Sequence, residues 1–120
     1  MAKAKDLLTS TDVDVLFFYF AMVDVAGHAH GFHPSVPEYT AAIALVDTQL
    51  TEILAAIAAR STVASEDWLI VVTSDHGGTA DKQHGRDIPE HRRVNMIVKG
   101  DRIVNGTITP APQQVDVVPT

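Results

Sequence analysis

The chain has 120 residues, 46% of them hydrophobic and 20% charged, enough for one domain with one core and too apolar for a disordered chain. Its formal net charge of −6 argues against a general nucleic-acid binder. It has no cysteine, which excludes disulfides and thiolate metal sites.

Charge and histidine are unevenly spread. Residues 1–75 carry three basic and ten acidic residues, and residues 76–120 carry six and five. All six histidines lie between His28 and His91, so the chemistry is expected in the middle of the chain. Met1 to Ser10 lacks the apolar core of a signal peptide. The longest apolar run, Val15 to Val23, is too short to span a bilayer as a helix, so no membrane segment is expected in this chain and its localisation stays open.

Val13 to Val23 is rich in β-branched and aromatic residues and apolar on both faces, the pattern of a buried parallel strand. A loop is expected from Asp24, punctuated by Gly27, Gly31 and Pro34. Ser35, Pro37 and Glu38 suit a helix start. Ile43, Val46, Leu50, Ile53 and Ile57 then make one apolar face of a helix to about Arg60. Trp68 to Thr73 reads as a second buried strand, ending at Ser74-Asp75. Residues 77–93 form a polar loop, Val94 to Val98 a third strand, and Arg102 to Ile108 a short strand or hairpin. Gln114 to Thr120 resembles the start of a helix.

Strand, helix and strand of these lengths predict a right-handed βαβ crossover in a parallel sheet. The C-terminal strand ends then share one rim, where ligands of open α/β sheets bind. The expected fold is α/β, residues 1–120 forming one metal-binding segment of a larger domain. A sheet of so few strands leaves an exposed edge, through which homo-oligomers can pair.

Three motifs fall on that rim. Asp24 and His28, four residues apart, are both good ligands for zinc or a similar ion, although this spacing alone also fits a solvated polar loop. Asp75-His76-Gly77-Gly78 follows the second strand, where a bend lets adjacent side chains converge; the alternative is a glycine-rich turn. His84-Gly85 follows on a flexible loop, where a surface histidine is the plain alternative. Together they supply two carboxylates and three histidines. Carboxylates gathered closely need cations between them, and two divalent ions suit phosphate chemistry. His30 and His33 read as surface histidines, and His91 competes with His84 as a ligand. Lys82, Arg86, Arg92 and Arg93 suit either a phosphate or plain solvation.

Asp-x-x-Gly-His-x-x-Gly, then Ser-Asp-His-Gly and a later His-Gly, resembles the alkaline phosphatase superfamily, most closely its type I phosphodiesterase/nucleotide pyrophosphatase branch. The resemblance covers residues 13–120. It implies a three-layer parallel-sheet fold and a phosphate-ester substrate hydrolysed through a covalent phosphoenzyme. It also implies two divalent ions, zinc in the first place, with manganese or iron as alternatives. Asp24, His28 and His84 match the ligands of one ion; Asp75 and His76 match two ligands of the other. Relatives are often periplasmic or extracellular. The family's remaining Asp and its Thr or Ser nucleophile lie upstream of the first motif. Thr9, Ser10, Thr11, Asp12 and Asp14 lack that setting. No catalytic residue is therefore expected in this chain, which alone would bind metal and turn over poorly. The alternatives are a sulfatase or phosphosugar mutase of the same superfamily, or a non-catalytic α/β module that binds metal or self-associates.

Overall fold

The computed structural model describes residues 2–117. They form two compact units by contact: the chain up to Glu66 with Gly78–Gln83, and Asp67–Gly77 with the chain from His84.

In the first unit, helix α1 (Ala2–Ser10) and helix α2 (Met22–His30) both pack on the long helix α3 (Pro37–Ala58). The core is Leu8 from α1, Ile53 and Ala56 from α3, and Phe32 from the α2–α3 connection. Pro37 opens α3, where its missing N–H is no loss. Arg60, just past α3, ties the ends of two helices together. Its guanidinium grips both carboxylate oxygens of Glu66 at 2.8–2.9 Å and also donates to the Leu8 and Thr11 carbonyls. By length and composition α3 could also cross a membrane. It nevertheless carries Asp47 and Glu52, and Lys5 of α1 holds Glu52 at 2.8 Å.

Two expectations change in this unit. Val13 to Val23, expected as a strand, pairs into no sheet among the described residues, and Val13 to Phe20 carries no regular secondary structure. Leu16, Phe18 and Phe20 are half-buried, while Val15, Phe17 and Tyr19 stand 85%, 86% and 70% exposed. The residues from Met22 to His30, expected as strand end and loop, form α2 instead. Asp24 sits in its first turn, where the helix dipole favours an anion. Gly31 ends it with φ at +117°, a conformation that favours glycine.

In the second unit, β1 (Ile70–Thr73) pairs with β2 (Met96–Lys99), and the short helix α4 (Pro89–Arg92) precedes β2. Both strands lie where the apolar runs predict them. They are antiparallel, with Val71 opposite Val98 and Thr73 opposite Met96. The described residues thus show helices and one antiparallel pair, and no parallel βαβ sheet. Arg102 to Ile108 forms turns and bends, with no strand or hairpin. Gln114–Val117 is a 3-10 turn; the rest of the expected helix, residues 118–120, lies outside the described residues.

Candidate functional site

Each unit carries its own group of candidate ligands. In the first, Asp24 and His28 lie one turn apart on α2, so helical periodicity alone puts them on one face. An Asp24 carboxylate oxygen stands 3.6 Å from His28 Nε2. That is too long for a hydrogen bond. It is close to the roughly 3.3 Å that separates two ligands of a tetrahedral zinc with bonds of about 2.0–2.1 Å.

The other nitrogen of His28 decides its protonation pattern. Nδ1 lies 3.1 Å from the Lys82 carbonyl oxygen. A carbonyl only accepts, so Nδ1 donates to it, and Nε2 is the nitrogen on the Asp24 side. Metal-ligating histidines are oriented in this way. Lys82 reaches the required position through a left-handed backbone (φ +66°) in a turn that Thr79 closes: the Lys82 and Thr79 N–H groups donate to the Thr79 and Gln83 carbonyls. The Lys82 ammonium donates to the Ala29 carbonyl at 2.8 Å, at the negative end of α2. Its partner is thus a helix end.

Phe32 holds this face in place. Its ring meets His28 edge-on with centroids 5.4 Å apart and Tyr39 at 5.7 Å. A Cβ on Gly27 would come within 2.2 Å of that ring, and one on Gly78 within 2.4 Å. Gly27 of the first motif is therefore required for packing inside a helix, not for turning a loop. Tyr39 is pushed above the ordinary tyrosine range, first by burial and then by the Asp24 carboxylate.

In the second unit, Asp75 and His76 follow β1 on a bend. An Asp75 carboxylate oxygen lies 3.6 Å from His76 Nε2, the same spacing as on α2. His76 is oriented in the same way: Nδ1 is 2.9 Å from the Gly77 carbonyl oxygen and donates there, and Nε2 is the nitrogen on the Asp75 side. Ser74 Oγ donates to the His76 carbonyl, and the Gln114 side-chain amide donates to the Ser74 and Asp75 carbonyls.

The imidazole of His84 stacks on that of His76, with centroids 3.8 Å apart and planes 17° from parallel. A nitrogen lone pair lies in its ring plane. Two stacked rings therefore direct their lone pairs into separate layers, and a 17° tilt closes little of the gap. One ion cannot lie in both planes. Two ions at the roughly 3.5–4 Å separation of dinuclear hydrolase sites can.

The remaining histidines differ. His33 Nδ1 accepts the Ser35 N–H at 3.2 Å in a local turn, and His30 is exposed on α2. His91 is 3% exposed, and its Nδ1 accepts the Arg86 N–H at 2.9 Å. Its hydrogen is therefore on Nε2, the opposite of His28 and His76. Three positions that sequence reasoning missed shape these groups: the Lys82 and Gly77 carbonyls and the Gln114 amide. Two act through the backbone, so no residue type marks them.

The hydroxyls of Thr9, Ser10 and Thr11 all donate to carbonyls of α1, of Lys5, Asp6 and Leu7. Arg92 pairs with Asp87 at 3.0 Å on the surface.

A family model described as type I phosphodiesterase / nucleotide pyrophosphatase matches residues 1–117. No solved structure matches the chain.

Proposed function

Because this chain belongs to the type I phosphodiesterase/nucleotide pyrophosphatase family of the alkaline phosphatase superfamily, we propose that it is the metal-coordinating segment of a phosphoric ester hydrolase. Asp24, His28 and His84 are assigned to one divalent ion, and Asp75 and His76 to a second. The grouping of His84 with the α2 pair follows the family's motif order. Hydrolases of this family are typically metal-dependent. Zinc suits the His and Asp donors, and manganese or iron can take the same set.

The observation that carries this reading is the His76–His84 stack, whose two ring planes give the imidazoles separate ligand directions that suit two ions better than one. The 3.6 Å carboxylate–imidazole spacings at both groups support it. Bound there, the ions would polarise a phosphoryl oxygen and neutralise charge on the phosphate. The protein's own part is orientation. The Lys82 and Gly77 carbonyls fix how the two imidazoles are turned, and Phe32 holds the His28 ring. The nucleophile is assigned to a residue upstream of this chain, since the hydroxyls of Thr9, Ser10 and Thr11 serve the end of α1. The surrounding fold is proposed to be the family's parallel-sheet architecture.

The test is metal uptake and turnover by the 120-residue chain. After chelation and reloading with zinc, metal content by mass spectrometry is expected to fall in Asp24→Ala and, separately, in His76→Ala. Hydrolysis of bis(4-nitrophenyl) phosphate by the chain alone is expected to be negligible. A folded chain that takes up no zinc, cobalt or manganese refutes the site. Robust turnover refutes the upstream nucleophile.

A further inference from the structure

Of the six histidines, His91 is the one buried polar residue among the described residues, and no metal role explains its geometry. Its ring and its main chain hold two different segments. Nδ1 accepts the N–H of Arg86, two residues after His84, at 2.9 Å. Its carbonyl accepts the N–H of Gly77, the residue after His76, at 2.9 Å. The segments carrying His76 and His84 are thus fastened to a single residue. The fastening is close: a Cβ on Gly77 would come within 2.1 Å of the Glu90 carbonyl oxygen and 2.9 Å of that of Arg93. The backbone of α4 therefore rests directly on the turn after His76. The Gly77 peptide takes part at both ends, since its N–H is held by His91 and its carbonyl receives the His76 Nδ1 hydrogen.

We infer that His91 is a positioning residue: its ring Nδ1 holds Arg86 in the loop that carries His84, its main-chain carbonyl holds Gly77 after His76, and the two together keep His76 and His84 face to face. The inference rests on the proposed metal site for its consequence, but not for its geometry. It also reverses the sequence-based option that His91 is itself a ligand. A ligand needs a free lone pair, and in this tautomer Nδ1 is spent on an N–H while Nε2 bears the hydrogen. A buried neutral imidazole used as a shaped acceptor is the alternative role for such a residue, because a buried N–H without an acceptor is costly.

Two substitutions separate the roles of the two nitrogens. In His91→Asn, the amide oxygen occupies the place of Nδ1. In His91→Gln, the amide group reaches the place of Nε2. His91→Leu keeps bulk and removes both. Arg86 and Gly77 amide hydrogen exchange, followed by NMR on the metal-free chain, reads the lock directly. The Arg86 amide, which the ring holds, is expected to stay protected in the wild type and in His91→Asn and to exchange at least ten-fold faster in His91→Gln and His91→Leu; the Gly77 amide, held by the main-chain carbonyl, is expected to change less. Zinc affinity by calorimetry is expected to follow the same order, falling about 10–100-fold in the Gln and Leu variants and within about three-fold of wild type in Asn, the range seen for groups that orient metal ligands.

Retention of affinity in His91→Gln with loss in His91→Asn would make His91 a ligand through Nε2 and overturn the inference. So would unchanged protection of the Arg86 amide in His91→Leu. A leucine variant that fails to fold leaves the decision to the Asn–Gln pair. A wild type that binds no zinc, but shows the Asn–Gln–Leu pattern in amide exchange, refutes the proposed metal site and supports the lock.

Discussion

The two groups of candidate ligands reach the same 3.6 Å carboxylate–imidazole spacing by different means. On α2, Asp24 and His28 share a face because residues four apart on a helix always do. Even with the rest of the unit loosened, a helix there would keep them together. After β1, Asp75 and His76 are neighbours in sequence, and they converge only because the chain bends. The bend is held by Gln114, by the Gly77 peptide and by α4. His84 joins them by stacking across a loop. A pair set by secondary structure should tolerate damage that destroys a pair set by tertiary contacts.

The sharpest way to break the comparison is at Gly77. In Gly77→Ala the new methyl group has a backbone carbonyl oxygen 2.1 Å away, and backbone cannot move aside as a side chain can. About 3 kcal/mol or more of stability should be lost, and any metal affinity of the His76–His84 group with it. Denaturant titration and calorimetry check both, and a stable variant with intact zinc binding would contradict the seating of α4 on this turn. Gly27→Ala is the matching change on α2. Its methyl group meets the Phe32 ring, which has some freedom to shift, so a smaller loss of about 1–3 kcal/mol is expected. The Asp24–His28 pair should survive. Circular dichroism melts read the loss, and zinc titration of the variant reads the pair.

Tyr39 offers a finer probe of the α2 pair, because the Asp24 carboxylate contributes to its raised pKa. In a Tyr19→Phe background, the phenolate absorbance of Tyr39 is expected to titrate at lower pH once Asp24→Asn removes that charge. It should remain above the ordinary value of 10.0, because burial, the larger cause, persists. A divalent ion bound at Asp24 should act in the same direction. The sign for stability follows: a raised tyrosine pKa favours the neutral phenol in the folded state. Its contribution is complete below the ordinary pKa and is lost as pH rises through the folded one. An unmoved midpoint in Asp24→Asn would show that the carboxylate does not reach the phenol.

The smallest expected effect lies away from both groups. Glu52 is held below the ordinary carboxylate range by its hydrogen bond and charge pairing with Lys5. Stability from this pair is present above the ordinary Glu pKa and lost as pH falls through the depressed one. Glu52→Gln should therefore flatten the acid limb of the stability profile slightly, without altering metal binding, as thermal melts between pH 3 and pH 7 would reveal.

Much of the local structure was legible from pattern. The apolar periodicity of α3 and the two short β-branched runs predict elements close to those observed, since these signals are set by which side chains must leave water. The segment Val13 to Val23 reads as a strand, but strand pairing is a property of neighbours, and none pairs with it among the described residues. Asp24 to His30 reads as a loop because Gly27 resembles a turn residue. A packing glycine looks the same until the Phe32 ring is seen against it. The metal-ligand candidates were legible by residue type, whereas the roles of Lys82, Gly77 and Gln114 were not, because a carbonyl oxygen or an amide hydrogen bond carries no identifying side chain.

By itself, the sequence determined the family, whose model matches residues 1–117, and the chemical types available for metal binding. Only the tertiary structure separated His28 and His76, each of which turns Nδ1 to a backbone carbonyl, from His91, whose Nδ1 accepts a backbone N–H. The reason is physical: an imidazole is donor or acceptor according to what faces its other nitrogen, and that partner is chosen by the fold.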